Sequence, residues 1–227
     1  MFKVNLNLPN LALHERAMFL PQWIDNPSDL ISWDDIEQCM NNPILHHLEL
    51  IDPENRKLPF DRNFLAKEKR FLFDALHNDH GLVITEFGHY NEKTKKLLKF
   101  FEETFDVHCA IHVYCGLTSK ATSFKIHCDS PTNFIIQVEG KCHWKIYENR
   151  MSNLIDFSCS HPEEIDEREL TTVVDEILSP GDGVLIPPRQ YHLAMPMERR
   201  ISLSIPCWPR NRKKKPEIDR NYYRLRT

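Results

Sequence analysis

No stretch of this chain is apolar for long enough to cross a membrane, and Met1-Phe2-Lys3-Val4-Asn5 does not open into the apolar centre of a secretory signal. Cysteine occurs seven times, an odd number, with no C-x-x-C spacing. A disulfide framework and a cysteine zinc site are therefore not indicated, and reduced, mostly buried thiols are expected. The expected location is the cytoplasm. A phosphate-binding loop, a G-x-G-x-x-G turn and a G-x-S-x-G elbow are all missing, which leaves nucleotide and serine-hydrolase chemistry without residues. Internal repeats are missing as well.

What is present is an ordinary globular composition in 227 residues, enough for one large domain or two small ones with a real core. The net charge of −4 is unevenly spread. From Arg199 to Thr227 there are ten Lys/Arg against two acidic residues, a net of +8, which leaves −12 for the preceding 198 residues. The expected division is an N-terminal arm at 1–30, a main domain at 31–208 and a basic tail at 209–227. The tail mixes cations with Tyr222 and Tyr223. It suits RNA or an acidic partner, against the plainer reading of a solvated terminus.

In chain order, the arm is polar and irregular, with some strand character. Ser32 and Asp35 form a capping-box-like start for a helix at 33–41. A strand over 44–51 and a turn at Asp52-Pro53-Glu54-Asn55 follow. Apolar residues at helical spacing predict helices over 66–78 and 91–105, the first ended by Gly81, with a short strand at 82–84 between them. After residue 107 the pattern becomes short strands at 109–114, 123–128, 134–138, 141–147, 173–178, 184–186, 193–195 and 201–207. Gly/Pro turns separate them at Glu139-Gly140 and Pro180-Gly181-Asp182-Gly183. This spacing predicts a mainly β sandwich or barrel behind an α/β front section. The acidic loop 148–172, with a short helix at 162–169, is a candidate lid.

Within this β region lies Phe124-Lys125-Ile126-His127-Cys128-Asp129. In an extended strand residues i and i+2 share a side, so His127 and Asp129 can offer a nitrogen and a carboxylate oxygen to one point. With His192 arriving from a neighbouring strand, they would form the two-histidine, one-carboxylate face that leaves positions open on Fe(II). A second H-x-D, His77-Asn78-Asp79, falls at the end of a helical pattern, where i and i+2 diverge, and reads as a solvated helix end.

The run from His127 through Asn133-Phe134, Gln137-Val138-Glu139-Gly140 and Trp144-Lys145-Ile146-Tyr147 resembles the H-x-D…N-F…Q-x-x-G…W-x-x-Y segment of JmjC-type hydroxylases and cupin-like ribosomal oxygenases. The run from Leu178 through Pro180-Gly181-Asp182 and Pro187-Pro188 to His192 is similar to the distal half of that domain, and Trp33-Asp34-Asp35-Ile36 to a helix that often opens it. The resemblance covers roughly residues 30–208 and implies a double-stranded β-helix (a cupin-like jelly-roll) with Fe(II)- and 2-oxoglutarate-dependent dioxygenase activity. It implies His127, Asp129 and His192 as metal ligands, Tyr114 as a cosubstrate contact, and Asn133 beside the 2-oxoglutarate or the iron. Aspartate as the carboxylate ligand resembles the family's hydroxylases more than its histone demethylases. Hydroxylation of a peptide, a protein side chain or a small metabolite is the implied reaction, and pairing of barrel edges into a homodimer is a further family trait.

One position departs from the pattern. The family usually places Lys or Arg thirteen residues after the ligand aspartate, opposite the distal carboxylate of 2-oxoglutarate; here it is Cys142. Lys125, by parity with His127, and Arg200, on the strand after His192, are the replacement candidates, with Lys145 and Arg189 less suited. Cys142 leaves open a metal cupin that does not use 2-oxoglutarate. A non-catalytic binding module with an RNA-contacting tail is the other alternative. Trp144 and the histidines at 108, 112 and 143 read as structural or surface residues.

Overall fold

A computed structural model describes residues 16–41, 47–58, 68, 70–152 and 165–210. Residues 211–227 of the basic tail and 153–164 of the candidate lid lie outside the described residues. Two facing antiparallel sheets form the body. The larger runs β1 (Met18–Leu20), β9 (Gly183–Ile186), β6 (Thr132–Glu139), β11 (Arg200–Pro209), β5 (His112–Gly116), β3 (Gly81–Thr85) and β2 (His47–Ile51) in spatial order, with β4 (Val107–Cys109) also on β11. The smaller has β7 (Cys142–Arg150) between β10 (Gln190–Pro196) and β8 (Thr172–Leu178). An antiparallel bridge between His127 and His192 adds the 127 segment beside β10 as a fourth, one-residue strand. This is the expected jelly-roll, four strands facing four, extended by β1, β2, β3 and β4.

The strands of the larger sheet are near-continuous apolar runs because both faces are covered. On β6, Phe134, Ile136 and Val138 join the core beneath the helices, while Ile135 joins the cluster inside the barrel with Cys142, Trp144, Ile146 and Ala194. The helices are α1 (Trp33–Asn41), α2 (Arg70–His77) and α3 (Glu92–Phe105). The first is capped reciprocally: the Ser32 N–H and hydroxyl each donate to Asp35 at 2.9 Å. Asn91 caps α3 by accepting from the N–H groups of Lys93 and Thr94. From α3, Phe101 and Phe105 pack on Phe134, and Trp23 stacks on the same ring at 5.3 Å between centroids. Since Trp23, Ile24 and Leu30 are buried and β1 pairs with β9, the described part of the arm belongs to the core.

Three sequence expectations change locally. The helix over 66–78 ends on Asp79 in the left-handed region (φ 63°), and Gly81 lies in β3, where a Cβ would stand 2.2 Å from the carbonyl oxygen of Thr122. That glycine serves close approach, not helix termination. The strand expected over 109–114 is split into β4 and β5 because both pair with β11 across Pro206, which has no N–H to offer the ladder. The strand expected over 123–128 reduces to the His127 bridge, preceded by bends at Lys125 and Ile126. The turn at Gly140 (φ 68°) joins β6 to β7 as expected. Of the helix at 162–169, the described part is a single 3-10 turn, Glu167–Glu169.

Candidate metal and cosubstrate site

Inside the barrel, the strand faces that alternate inward converge on one cavity. Tyr114 enters it from β5, Asn133 and Ile135 from β6, Trp144 from β7, His192 and Ala194 from β10, and Arg200, Ser202 and Ser204 from β11. The rim carries His127, Asp129 and Phe124. His127, Asp129 and His192 bring one donor atom each within 4.8 Å of one another. The predicted triad is therefore assembled.

Its geometry is fixed by the backbone. His127 and His192 exchange N–H···O=C bonds of 3.2 and 2.9 Å, and the Arg189 N–H donates to the Asp129 carbonyl at 2.7 Å. These bonds tie 127–129 to 189–192, with Arg189 in the left-handed conformation (φ 62°) to make the turn. Cys128 points the other way, its Sγ 4.0 Å from Met151 Sδ, which is the alternation that leaves His127 and Asp129 on one side. The register of β10 against β7 shifts just before His192, an irregularity that re-aims a side chain next to a site.

Both imidazoles have assigned tautomers. His127 Nδ1 stands 2.8 Å from the Lys125 carbonyl and His192 Nδ1 stands 2.9 Å from the Gln190 carbonyl. A carbonyl only accepts, so each Nδ1 donates away from the site and each ring turns its Nε2 edge to the cavity. Burial, then the neighbouring His192, pushes His127 down to about 4 against the opposing pull of Asp129, so its ring is neutral near pH 7. The rings lie 4.2 Å apart, with Trp144 stacked on His192 at 6.1 Å. His192 Nε2 is 3.6 Å from Asp129 Oδ2, and that oxygen accepts from Asn133 Nδ2 at 2.9 Å. Two imidazoles with their Nδ1 atoms engaged and one carboxylate, held from behind and facing the cavity, fit a divalent iron with positions left for other ligands.

Of the other expected residues, Tyr114 lines the cavity, and burial raises its hydroxyl so that it stays a donor. Asn133 touches Asp129 and accepts from Ser204 Oγ at 2.9 Å, so it positions the carboxylate. Arg200 lines the cavity and is 2 % exposed. Lys125 is exposed and does not line the cavity, a correction to the parity argument: the bends at 125 and 126 break the alternation on which it rested. Cys142 is buried inside the barrel, as Trp144 is, though Trp144 also lines the cavity. His112 accepts from the Glu86 N–H at 3.3 Å and His143 pairs with Asp175, both structural roles as expected. The second H-x-D is structural too, with Asp79 accepting from Thr118 at 2.6 Å. Six thiols, Cys39, Cys109, Cys115, Cys128, Cys142 and Cys207, are free. The sequence reading missed Ser202 and Ser204; the polar–apolar alternation Arg200-Ile201-Ser202-Leu203-Ser204-Ile205 was the available signal.

Comparison with known proteins agrees with this geometry. The JmjC domain model matches residues 86–214. A bifunctional lysine-specific demethylase and histidyl-hydroxylase NO66 of Drosophila willistoni is 28% identical over 190 residues, 78% of this chain and 24% of that protein. The ribosomal protein uL16 3-hydroxylase of Escherichia coli K12 is 26% identical over 124 residues, 55% of this chain and 32% of that protein. The chain thus spans a quarter to a third of these relatives. The ribosomal oxygenase YcfD of Escherichia coli, solved with cobalt and 2-oxoglutarate, shares the fold at a TM-score of 0.66 and 20% identity, covering 91% of this chain and 53% of that one.

Proposed function

The chain belongs to the JmjC domain family, and we propose that it is an Fe(II)- and 2-oxoglutarate-dependent oxygenase that hydroxylates a side chain of a protein substrate. One observation carries the reading: His127, Asp129 and His192 bring one ligand atom each within 4.8 Å of one another at a barrel cavity, with the Nδ1 of each imidazole turned to a backbone carbonyl. When bound there, iron supplies the activation of O2 that couples decarboxylation of the keto acid to oxygen insertion into a C–H bond.

The residues supply position and environment. His127, Asp129 and His192 would hold the metal and leave adjoining positions open. Asn133 fixes Asp129, and the Lys125 and Gln190 carbonyls fix the rings. Tyr114 offers a protonated hydroxyl to a bound anion, and the apolar walls at Ile135, Trp144 and Ala194 limit water. The names of the two relatives, one acting on a ribosomal protein and one as a histidyl-hydroxylase, support a protein substrate.

The test loads the chain with Fe(II) and follows 2-oxoglutarate turnover with isotopically labelled O2 and a ribosomal protein fraction. The expected result is stoichiometric succinate and one labelled oxygen in a protein product, both lost in Asp129→Ala. Succinate-free oxygen uptake would instead favour the cupin that does not use 2-oxoglutarate. The same proposal carries three subsidiary parts. RNA or an acidic partner at the basic tail rests on its eight Lys/Arg against two acidic residues, a net of +6 over 209–227. Homodimer formation draws support from β8, an edge strand with Val173 and Ile177 nearly half exposed. A cytoplasmic location draws it from the six free thiols.

A further inference from the structure

The buried guanidinium of Arg200 is the charge inside the barrel for which the hydrogen-bond network gives no anion. Among the described residues its hydrogen bond runs from Nη1 to Ser202 Oγ at 3.2 Å, and its Nε, fully buried, has no partner at all. Arginine stays charged in a protein, and a buried cation without an anion is unfavourable. A cavity that holds a cation at one end and two imidazoles with a carboxylate at the other is therefore incomplete in a specific way. The Arg200 side chain suits an anionic group there.

Arg200 is also held for the purpose. Ser202 Oγ donates onward to Gln137 Oε1 at 2.9 Å, and Gln137 Nε2 donates to the Glu139 carbonyl at 2.8 Å. Ser202 lies opposite Gln137 in the same register that β11 and β6 keep through Leu203 and Ile136, Ser204 and Ile135, and Ile205 and Phe134; the register shifts only past this pair, where Ile201 stands opposite Glu139. Strand alternation puts Ser202 on the inward face with Arg200 and Ser204, and Gln137 on the inward face with Asn133 and Ile135. Next to it, the turn at Gly140 presses on the backbone of Arg200: a Cβ there would stand 3.2 Å from the Arg200 Cα. Two residues on, β7 begins with Cys142, whose buried side chain faces into the barrel. A short thiol at this inward position leaves room for the long side chain entering from β11.

We propose, building on the oxygenase reading above, that Arg200, held by Ser202 and Gln137, anchors the distal carboxylate of the keto-acid cosubstrate, and that Cys142 is the small residue that permits a cation to enter from β11 instead of β7. Along one strand face, Arg200 then grips the cosubstrate while Ser204, through Asn133, steadies the metal ligand Asp129. The two ends of the site are thereby set by one strand.

The test measures anaerobic binding of 2-oxoglutarate to Mn(II)-loaded protein by calorimetry, with Mn(II) affinity measured separately. Arg200→Gln keeps the reach and a donor for Ser202 but removes the charge. It is expected to weaken 2-oxoglutarate by about 30-fold or more while leaving Mn(II) binding unchanged. The wild type should also prefer 2-oxoglutarate strongly over 2-oxopentanoate, in which a methyl replaces the distal carboxylate, and Arg200→Gln should lose that preference. Adding Cys142→Arg to Arg200→Gln returns a cation from β7 and should restore part of the preference. Equal binding of 2-oxoglutarate by wild type and Arg200→Gln overturns the anchor and leaves the oxygenase reading standing. A wild type that takes up Mn(II) and no 2-oxoglutarate overturns both.

Discussion

Asn133 donates its side-chain N–H to Asp129 Oδ2 at 2.9 Å, and so fixes the one carboxylate that faces the two imidazoles. It receives the Ser204 hydroxyl on its own oxygen, so neither side of the amide is free to turn. Asn133→Ala would release Asp129 and leave the Ser204 hydroxyl unsatisfied. Partners of this kind are worth about 10- to 100-fold in metal affinity. Titration with Co(II) should show a loss in that range with the circular dichroism unchanged; an unaltered affinity would mean that Asp129 is held without Asn133.

His127→Ala and Asp129→Ala remove ligand side chains from segments held by backbone bonds between 127–129 and 189–192. Both variants are expected to fold. Binding to the native state alone stabilises by about 2.7 kcal/mol at a hundredfold excess over Kd. The wild type should therefore melt at a higher temperature with Co(II) present, and neither variant should respond.

Gly140 has a φ of 68° and its missing Cβ would fall 1.9 Å from the Arg199 carbonyl oxygen. Gly140→Ala meets both a left-handed backbone and a rigid neighbour. A loss of about 2 kcal/mol or more is expected in urea unfolding. A loss below half that would show that the β6–β7 turn can relax away from β11.

Trp23 tests the boundary placed at residue 30. Stacked on Phe134 and 2 % exposed, it behaves as a core side chain although it belongs to the stretch that reads as an arm. Trp23→Ala should cost about 3–5 kcal/mol, as core aromatic truncations do. A cost typical of surface positions would restore the arm as a separate segment.

Much of the site was legible because strand parity is a local rule. His127 and Asp129 flank an oppositely directed Cys128, and the distal His192 follows a Gly/Pro turn that the sequence marks. Parity misled at Lys125, where it was carried across two bends that no local signal announces. Ser202 and Gln137 could not be paired from sequence, since their meeting depends on the pairing register of two strands more than sixty residues apart. The break between β4 and β5 had the same origin: Pro206 interrupts a ladder it joins only after folding. The helices were read closely, because caps such as Asn91 with Thr94 and Ser32 with Asp35 lie within one turn of what they terminate.

The most direct test of the account is an anaerobic titration of the protein with Fe(II) and 2-oxoglutarate, watching the visible region for the charge-transfer absorption of the chelated keto acid. The account predicts a band that requires both components, disappears in His192→Ala and needs higher 2-oxoglutarate in Arg200→Gln. Iron binding with no band at any 2-oxoglutarate concentration would contradict it.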